Sequence, residues 1–233
     1  MTTATPAFSL VRRLGAEGLG TALLLAIVVG SGVMGERLSD GSAAIALMLN
    51  AGSTGAGLAV LITLLGPISG AHFNPLVTLL AWRDGELDIR EALARGAVQV
   101  IAGGVGVLAA HAMFALPLIQ VSDTLRSGEG QVLSEGIATF GLILVIRLAK
   151  RLASGATASL VALYISAAYG FTASTAFANP AVTLARSLTD TFAGIAPGSI
   201  PGFLLGQAVG ALAATVIAGW LLVERPAPLP PTA

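Results

Sequence analysis

An uncharged run of 42 residues separates Asp40 from Arg83, and no single membrane-crossing helix can absorb it. At ~1.5 Å per residue it would reach roughly 63 Å, about twice the ~30 Å of bilayer hydrocarbon. The chain must therefore cross and turn back within the run. Gly66-Pro67 followed by Ser69-Gly70 supplies a break, and Asn74-Pro75 then restarts a helix. Asn can cap free backbone N–H groups, and Pro fits the first helical position. From Asn74 to Trp82 that helix spans only ~14 Å, about half the membrane. A second overlong run, Leu152 to Ala185, repeats the pattern and predicts a half-helix starting at Asn179-Pro180.

The two restarts are copies. Ser69-Gly70-Ala71-His72-Phe73-Asn74-Pro75-Leu76-Val77-Thr78-Leu79 and Ser174-Thr175-Ala176-Phe177-Ala178-Asn179-Pro180-Ala181-Val182-Thr183-Leu184 share Ser, Ala, Asn, Pro, Val, Thr and Leu at a constant offset of 105 residues. Glu17-Gly18 with Thr21 is matched by Glu135-Gly136 with Thr139, and Gln99 by Gln207. The repeats are residues 10–115 and 131–224 of one channel domain, and 225–233 form a Pro-rich tail. Each half predicts three spans, an odd number, so the second half inserts upside down. Inverted repeats with broken helices mark a transport site near the midplane.

The expected fold is an all-α membrane protein with six transmembrane helices and two re-entrant half-helices. The remaining spans lie near 18–35, 96–116, 132–147 and 201–223, and Arg83 to Arg95 reads as a charged loop. A composition of 55% hydrophobic and 10% charged residues is that of a membrane chain. Arg12-Arg13 precedes a first span rather than a cleaved leader, because acid lies inside its start. Zero cysteines remove thiolate metal sites, and no cofactor or metal is expected. Zero net charge gives nucleic acid no basic face. With both termini cytoplasmic, nine Lys/Arg fall inside and three (Arg37, Arg126 and Arg186) outside, as the positive-inside rule requires.

Half-helices entering from opposite faces meet N-terminus to N-terminus, each end carrying roughly half a positive charge. That arrangement disfavours cations. Asn74 and Asn179 can donate to water or a hydroxyl, and backbone carbonyls around Gly70, Ala71, His72, Thr175 and Phe177 can accept. Irregular backbone at this depth is tolerated where it lines a wet cavity or is buried in protein. A narrow pore for small hydroxyl-bearing solutes follows. Glu17 and Glu135 either anchor the re-entrant loops or relay protons, and their matched contexts favour anchoring. His111 reads as interfacial, and Gly103, Gly106, Gly206 and Gly210 as close helix packing. With two histidines and no cysteine, the chain is not expected to be an enzyme.

The paired Asn-Pro motifs and inverted repeat resemble the major intrinsic proteins, the aquaporin and aquaglyceroporin family, over nearly the whole chain. The resemblance implies a homotetramer in a bacterial inner membrane, one pore per protomer, Asn74 and Asn179 as central donors, and Glu17 and Glu135 as loop-holding acids. It also identifies the departures. Leu76 stands where Ala is usual, and Val182 where the family normally carries Arg. Thr183 stands where the glycerol subgroup usually has Asp. Counting back from the motif, the other constriction positions are Thr54, Ala167 and Ala176. Such a filter is wide and weakly polar, lacks an aromatic ring, and would pass water with glycerol, urea or arsenous acid. Arg186, one turn beyond Val182, is either a solvated helix end or a substitute charge. The alternatives are a proton-coupled secondary transporter, a water-selective member, or a non-conducting one obstructed by Leu76.

Overall fold

A chain this apolar must satisfy its backbone internally, and helices do so within each segment. The computed structural model describes residues 8–223; the tail 225–233, with Arg225, lies outside them. Eight α-helices follow one another among the described residues: α1 Leu10–Leu38, α2 Ala43–Ser69, α3 Pro75–Arg83, α4 Ile89–Met113, α5 Glu129–Leu152, α6 Thr157–Phe171, α7 Pro180–Arg186 and α8 Ile200–Leu221. Six are long and apolar enough to cross a membrane, α6 and α8 with short 3₁₀ turns before them. The short α3 and α7 are the re-entrant half-helices, and α1–α4 and α5–α8 are the inverted repeats.

Glycine sets how closely the long helices approach. A Cβ on Gly106 of α4 would lie 2.1 Å from the Ala22 carbonyl oxygen of α1, and one on Gly210 of α8 the same distance from the Gly136 carbonyl of α5. The α1/α4 and α5/α8 pairs therefore pack backbone to backbone, one in each repeat.

The structure narrows one expected break, shortens the charged loop and fixes the surroundings of His111. Helix α2 runs through Gly66-Pro67 and ends at Ser69. Its stop is Gly70, left-handed at φ +92°, whose N–H donates to the Gly66 carbonyl at 2.8 Å. Pro67 sits so near the end that it forgoes one helical bond, whereas a left-handed glycine halts the ladder. The charged loop is shorter than expected, because Asp88 caps α4 by accepting from the Glu91 N–H at 2.9 Å. Arg95 consequently lies on a helix and is buried. His111, in the last turn of α4, is fully buried and bonded to the Leu118 carbonyl at 2.9 Å and the Thr189 hydroxyl at 2.8 Å.

Helix α3 runs outward to one end of the bundle, where Arg147 and Lys150 of α5 pair with Asp84 and Glu86 beyond it. Helix α7 runs to the other. These are the α3 end and the α7 end below.

Candidate functional site

Each half-helix starts on an asparagine that does two things at once. The Asn74 side-chain oxygen accepts from the Leu76 N–H at 2.9 Å, capping α3, and Asn179 caps α7 by accepting from Ala181 N–H at 2.9 Å. Their amide groups reach across the repeat. Asn74 Nδ2 donates to the Ala178 carbonyl at 2.8 Å, and Asn179 Nδ2 donates to the Phe73 carbonyl at 2.7 Å. A side-chain amide has two hydrogens, so each asparagine keeps one for whatever passes. The loops that present them alternate into the left-handed region at Ala71 and Phe73, and again at Ala176 and Ala178. Such backbone costs energy in non-glycine residues and persists only where its surroundings fix it.

The fixing groups are Glu17 and Glu135, both without exposure. Glu17 accepts from the His72 N–H at 3.0 Å, the Phe73 N–H at 2.8 Å, Ser69 Oγ at 2.8 Å and Gln99 Nε2 at 2.8 Å. Glu135 accepts from the Phe177 and Ala178 N–H groups at 2.9 Å and from Gln207 Nε2 at 2.6 Å. Gln99 also donates to Thr78 and Gln207 to Thr183. The halves differ in one respect: Arg95 Nη1 lies 3.5 Å from Glu17, and the corresponding position of the second repeat holds Phe203.

A cavity of about 110 Å³ follows the two asparagines. At ~10–15 Å³ of free space per water it holds several in file. Its wall obeys the repeat. Leu24 and Val28 of α1 correspond to Leu142 and Ile146 of α5 at an offset of 118. Thr54, Leu58 and Ile62 of α2 correspond to Thr157, Val161 and Ile165 of α6 at an offset of 103. The loops add Gly70, the pairs Ala71/Ala176 and His72/Phe177, and, past the asparagines, Val77/Val182. Lys150 at the α3 end is the one Lys, Arg, Asp or Glu on the wall.

Several expected residues stand elsewhere. Ala167 is exposed on α6 and does not border the cavity; Ile165 and Tyr169, on the opposite helical face, do. The Tyr169 hydroxyl lies 3.4 Å from that of Thr54, so an aromatic ring stands where none was expected. Thr175 is held in a turn by its own N–H to the Thr172 carbonyl at 3.2 Å, one residue short of the wall. Leu76 packs with Val77 and Ile143 in a second apolar cluster and does not border the cavity. Pro75, Pro180 and Ala181 lie in the half-helices behind the asparagines. Neither Glu17 nor Glu135 borders the cavity.

Residues 4–171 match the family model described as Major intrinsic protein. The chain is a major intrinsic protein. It is 51% identical over 215 residues to aquaglyceroporin AqpS of Rhizobium meliloti (strain 1021), covering 92% of each chain. It is 31% identical over 182 residues to the probable aquaporin AqpM of Archaeoglobus fulgidus, covering 72% of this chain and 73% of that one. Its fold matches the X-ray structure of the aquaglyceroporin from Plasmodium falciparum with a TM-score of 0.71, at 19% identity, over 91% of this chain and 95% of the other. The chain is a passive membrane channel for small uncharged solutes and not an enzyme.

Within this major intrinsic protein, the α7 end holds Arg186, which the sequence singled out, and Arg126, to which it assigned no site role. Arg186 is buried rather than solvated, donating from Nε to the Ala193 carbonyl, with its guanidinium carbon 3.4 Å from the Phe177 ring centroid. Arg126, in the loop between α4 and α5, donates to the carbonyls of Gly194 at 2.8 Å, Phe192 at 3.3 Å and Ser174 at 3.5 Å. Its guanidinium carbon lies 5.3 Å from the same ring. Burial, by withholding water from the charged form, lowers the Arg126 pKa from its ordinary value.

Proposed function

We propose that the channel conducts water together with small hydroxyl- or amide-bearing solutes of the glycerol, urea and arsenous-acid class. The aperture assigned to this selection is Thr54, Tyr169, Ala176 and Val182, with Asn74 and Asn179 as the central donors. The observation that carries the reading is Val182. An aliphatic side chain borders the cavity three residues after the second asparagine, where an arginine would narrow the bore and present fixed donors. The relative named aquaglyceroporin, alike over nearly its full length, supports a bore wider than one for water alone. Tyr169 makes that aperture less open than a ring of Thr, Ala, Ala and Val.

The wall supports hydroxyl recognition by spacing sparse polar groups along apolar side chains: Thr157, the two asparagines, then Thr54 with Tyr169. Glu17 and Glu135 serve as loop anchors in this reading, since their oxygens are occupied by backbone and glutamine donors. The halves 10–115 and 131–224 act as one channel domain. The protein sits as a homotetramer in a bacterial inner membrane, with the α3 end and both termini cytoplasmic. Arg12, Arg13, Arg83, Arg90, Arg147, Lys150 and Arg151 near the α3 end support that orientation.

The test is stopped-flow light scattering on proteoliposomes challenged with water, glycerol, urea and arsenous acid. Wild-type vesicles should pass all of them faster than bare lipid, without saturation and without response to a pH gradient. Val182→Arg should cut glycerol and arsenous acid by roughly tenfold or more, about 1.4 kcal/mol on the barrier, with a smaller loss for water. An unchanged solute profile in that variant sinks the wide-aperture assignment.

A further inference from the structure

We propose that the Phe177 side chain is a specificity-determining wall of the passage at the α7 end, and that Arg186 and Arg126 are its positioning residues. The proposal rests on the channel reading above and deepens it. Phe177 borders the cavity and is buried. Its counterpart in the first repeat, two residues before the other asparagine, is His72, which also borders the cavity and bonds Thr78 through Nδ1 at 3.1 Å. Each repeat thus places one residue with a planar ring at the matching position of the wall, two before its asparagine.

What holds the second ring differs from what holds the first. Glu135 fixes the Phe177 N–H. Phe203 packs against the ring in a T-shaped pair, with centroids 4.9 Å apart and planes at 73°. Two guanidiniums then lie against it, Arg186 at 3.4 Å and Arg126 at 5.3 Å from the centroid. Among the described residues neither arginine is in an ion pair, so the ring is a principal electrostatic partner of the fully buried Arg186. Arg126 cannot drift, because three carbonyls of the α7-end loops hold it.

Backbone and ring are both held by fixed partners, so the ring cannot swing aside as a solute passes. It narrows the bore by shape. The guanidiniums supply the charge that Val182 lacks: a cation approaching this ring meets their fixed positive charge rather than an unoccupied π face. A neutral polyol meets an apolar surface for its carbons, with the Thr54 and Tyr169 hydroxyls also on the wall.

The test uses the purified full-length chain in proteoliposomes, with water, glycerol and the bulkier xylitol as probes and potassium leak as a fourth readout. Phe177→Ala should raise the xylitol-to-water permeability ratio by roughly tenfold or more. Phe177→Trp, which keeps an aromatic packing partner for Phe203, should lower the glycerol-to-water ratio, and it carries the test where Phe177→Ala folds poorly. Arg186→Met should loosen the ratio in the direction of Phe177→Ala and admit potassium, while Arg186→Lys should restore part of the wild-type selectivity. Unchanged ratios in both Phe177 variants, at wild-type water flux, overturn the proposal and leave the channel reading intact. Wild-type vesicles no more permeable than bare lipid would overturn both.

Discussion

A carboxylate with no exposure persists inside a membrane protein only when its lone pairs are taken up. Glu135 meets that condition with two backbone N–H groups and one glutamine amide. Glu135→Gln turns one acceptor into a donor that faces another donor. Hydrogen bonds to charged groups contribute about 1.5–3 kcal/mol each, so the variant should lose about that much stability. Thermal unfolding in detergent, followed by circular dichroism, should show a lower midpoint. The loss at Glu17→Gln should be larger, because Arg95 also lies 3.5 Å from that carboxylate. An unchanged midpoint in both would mean that the loops are held by other contacts. Both acids were legible in the sequence because each is followed by Gly at the next position and Thr at the fourth. Tyr169 was not: counting back from Asn179 lands on Ala167, and only the helical phase of α6 turns Thr157, Val161, Ile165 and Tyr169 to one face. That four-residue step, matched to Thr54, Leu58 and Ile62, is the sequence signal that could have found it.

At the scale of elements, a half-helix was readable from run length alone, since 42 uncharged residues exceed one crossing and Asn-Pro restarts a helix. The stop was less legible. Proline near a helix end forgoes little, so within the expected break of Gly66-Pro67 and Ser69-Gly70 it is Gly70 that stops the helix. Helix spacing was legible as glycine, but which glycines touch was not. Gly106→Ala places a Cβ 2.1 Å from the Ala22 carbonyl oxygen, a backbone atom that cannot rotate away. The α1/α4 pair would have to separate, at about 1–3 kcal/mol. On its neighbour Gly104 the nearest atom to such a Cβ is Leu188 Cδ1 at 3.6 Å, an ordinary contact. Gly106→Ala should therefore lower the unfolding midpoint and broaden the size-exclusion peak while Gly104→Ala leaves both near wild type. Equal effects would mean that α1 and α4 are not in backbone contact.

At the scale of the whole molecule, one set of helices must serve two solvents. Val60, Leu163, Leu212 and Val216 are each more than half exposed, facing outward, while Leu58 and Val161 on the same helices as the first two turn to the cavity. The absence of cysteine from the chain makes this division directly measurable, since every introduced thiol is the sole one. Leu58→Cys should render water flux in proteoliposomes sensitive to mercuric chloride. Val60→Cys, only two residues along α2 but on the opposite face, should leave flux indifferent to it. The same background tests orientation. In intact cells a membrane-impermeant maleimide should label Ser127→Cys, at the α7 end, and spare Ser154→Cys, at the α3 end, until the membrane is opened. The reverse labelling would invert the channel in its membrane and place Arg126 and Phe177 at the cytoplasmic mouth. Block at Val60→Cys with none at Leu58→Cys would mean that α2 presents its other face to the passage.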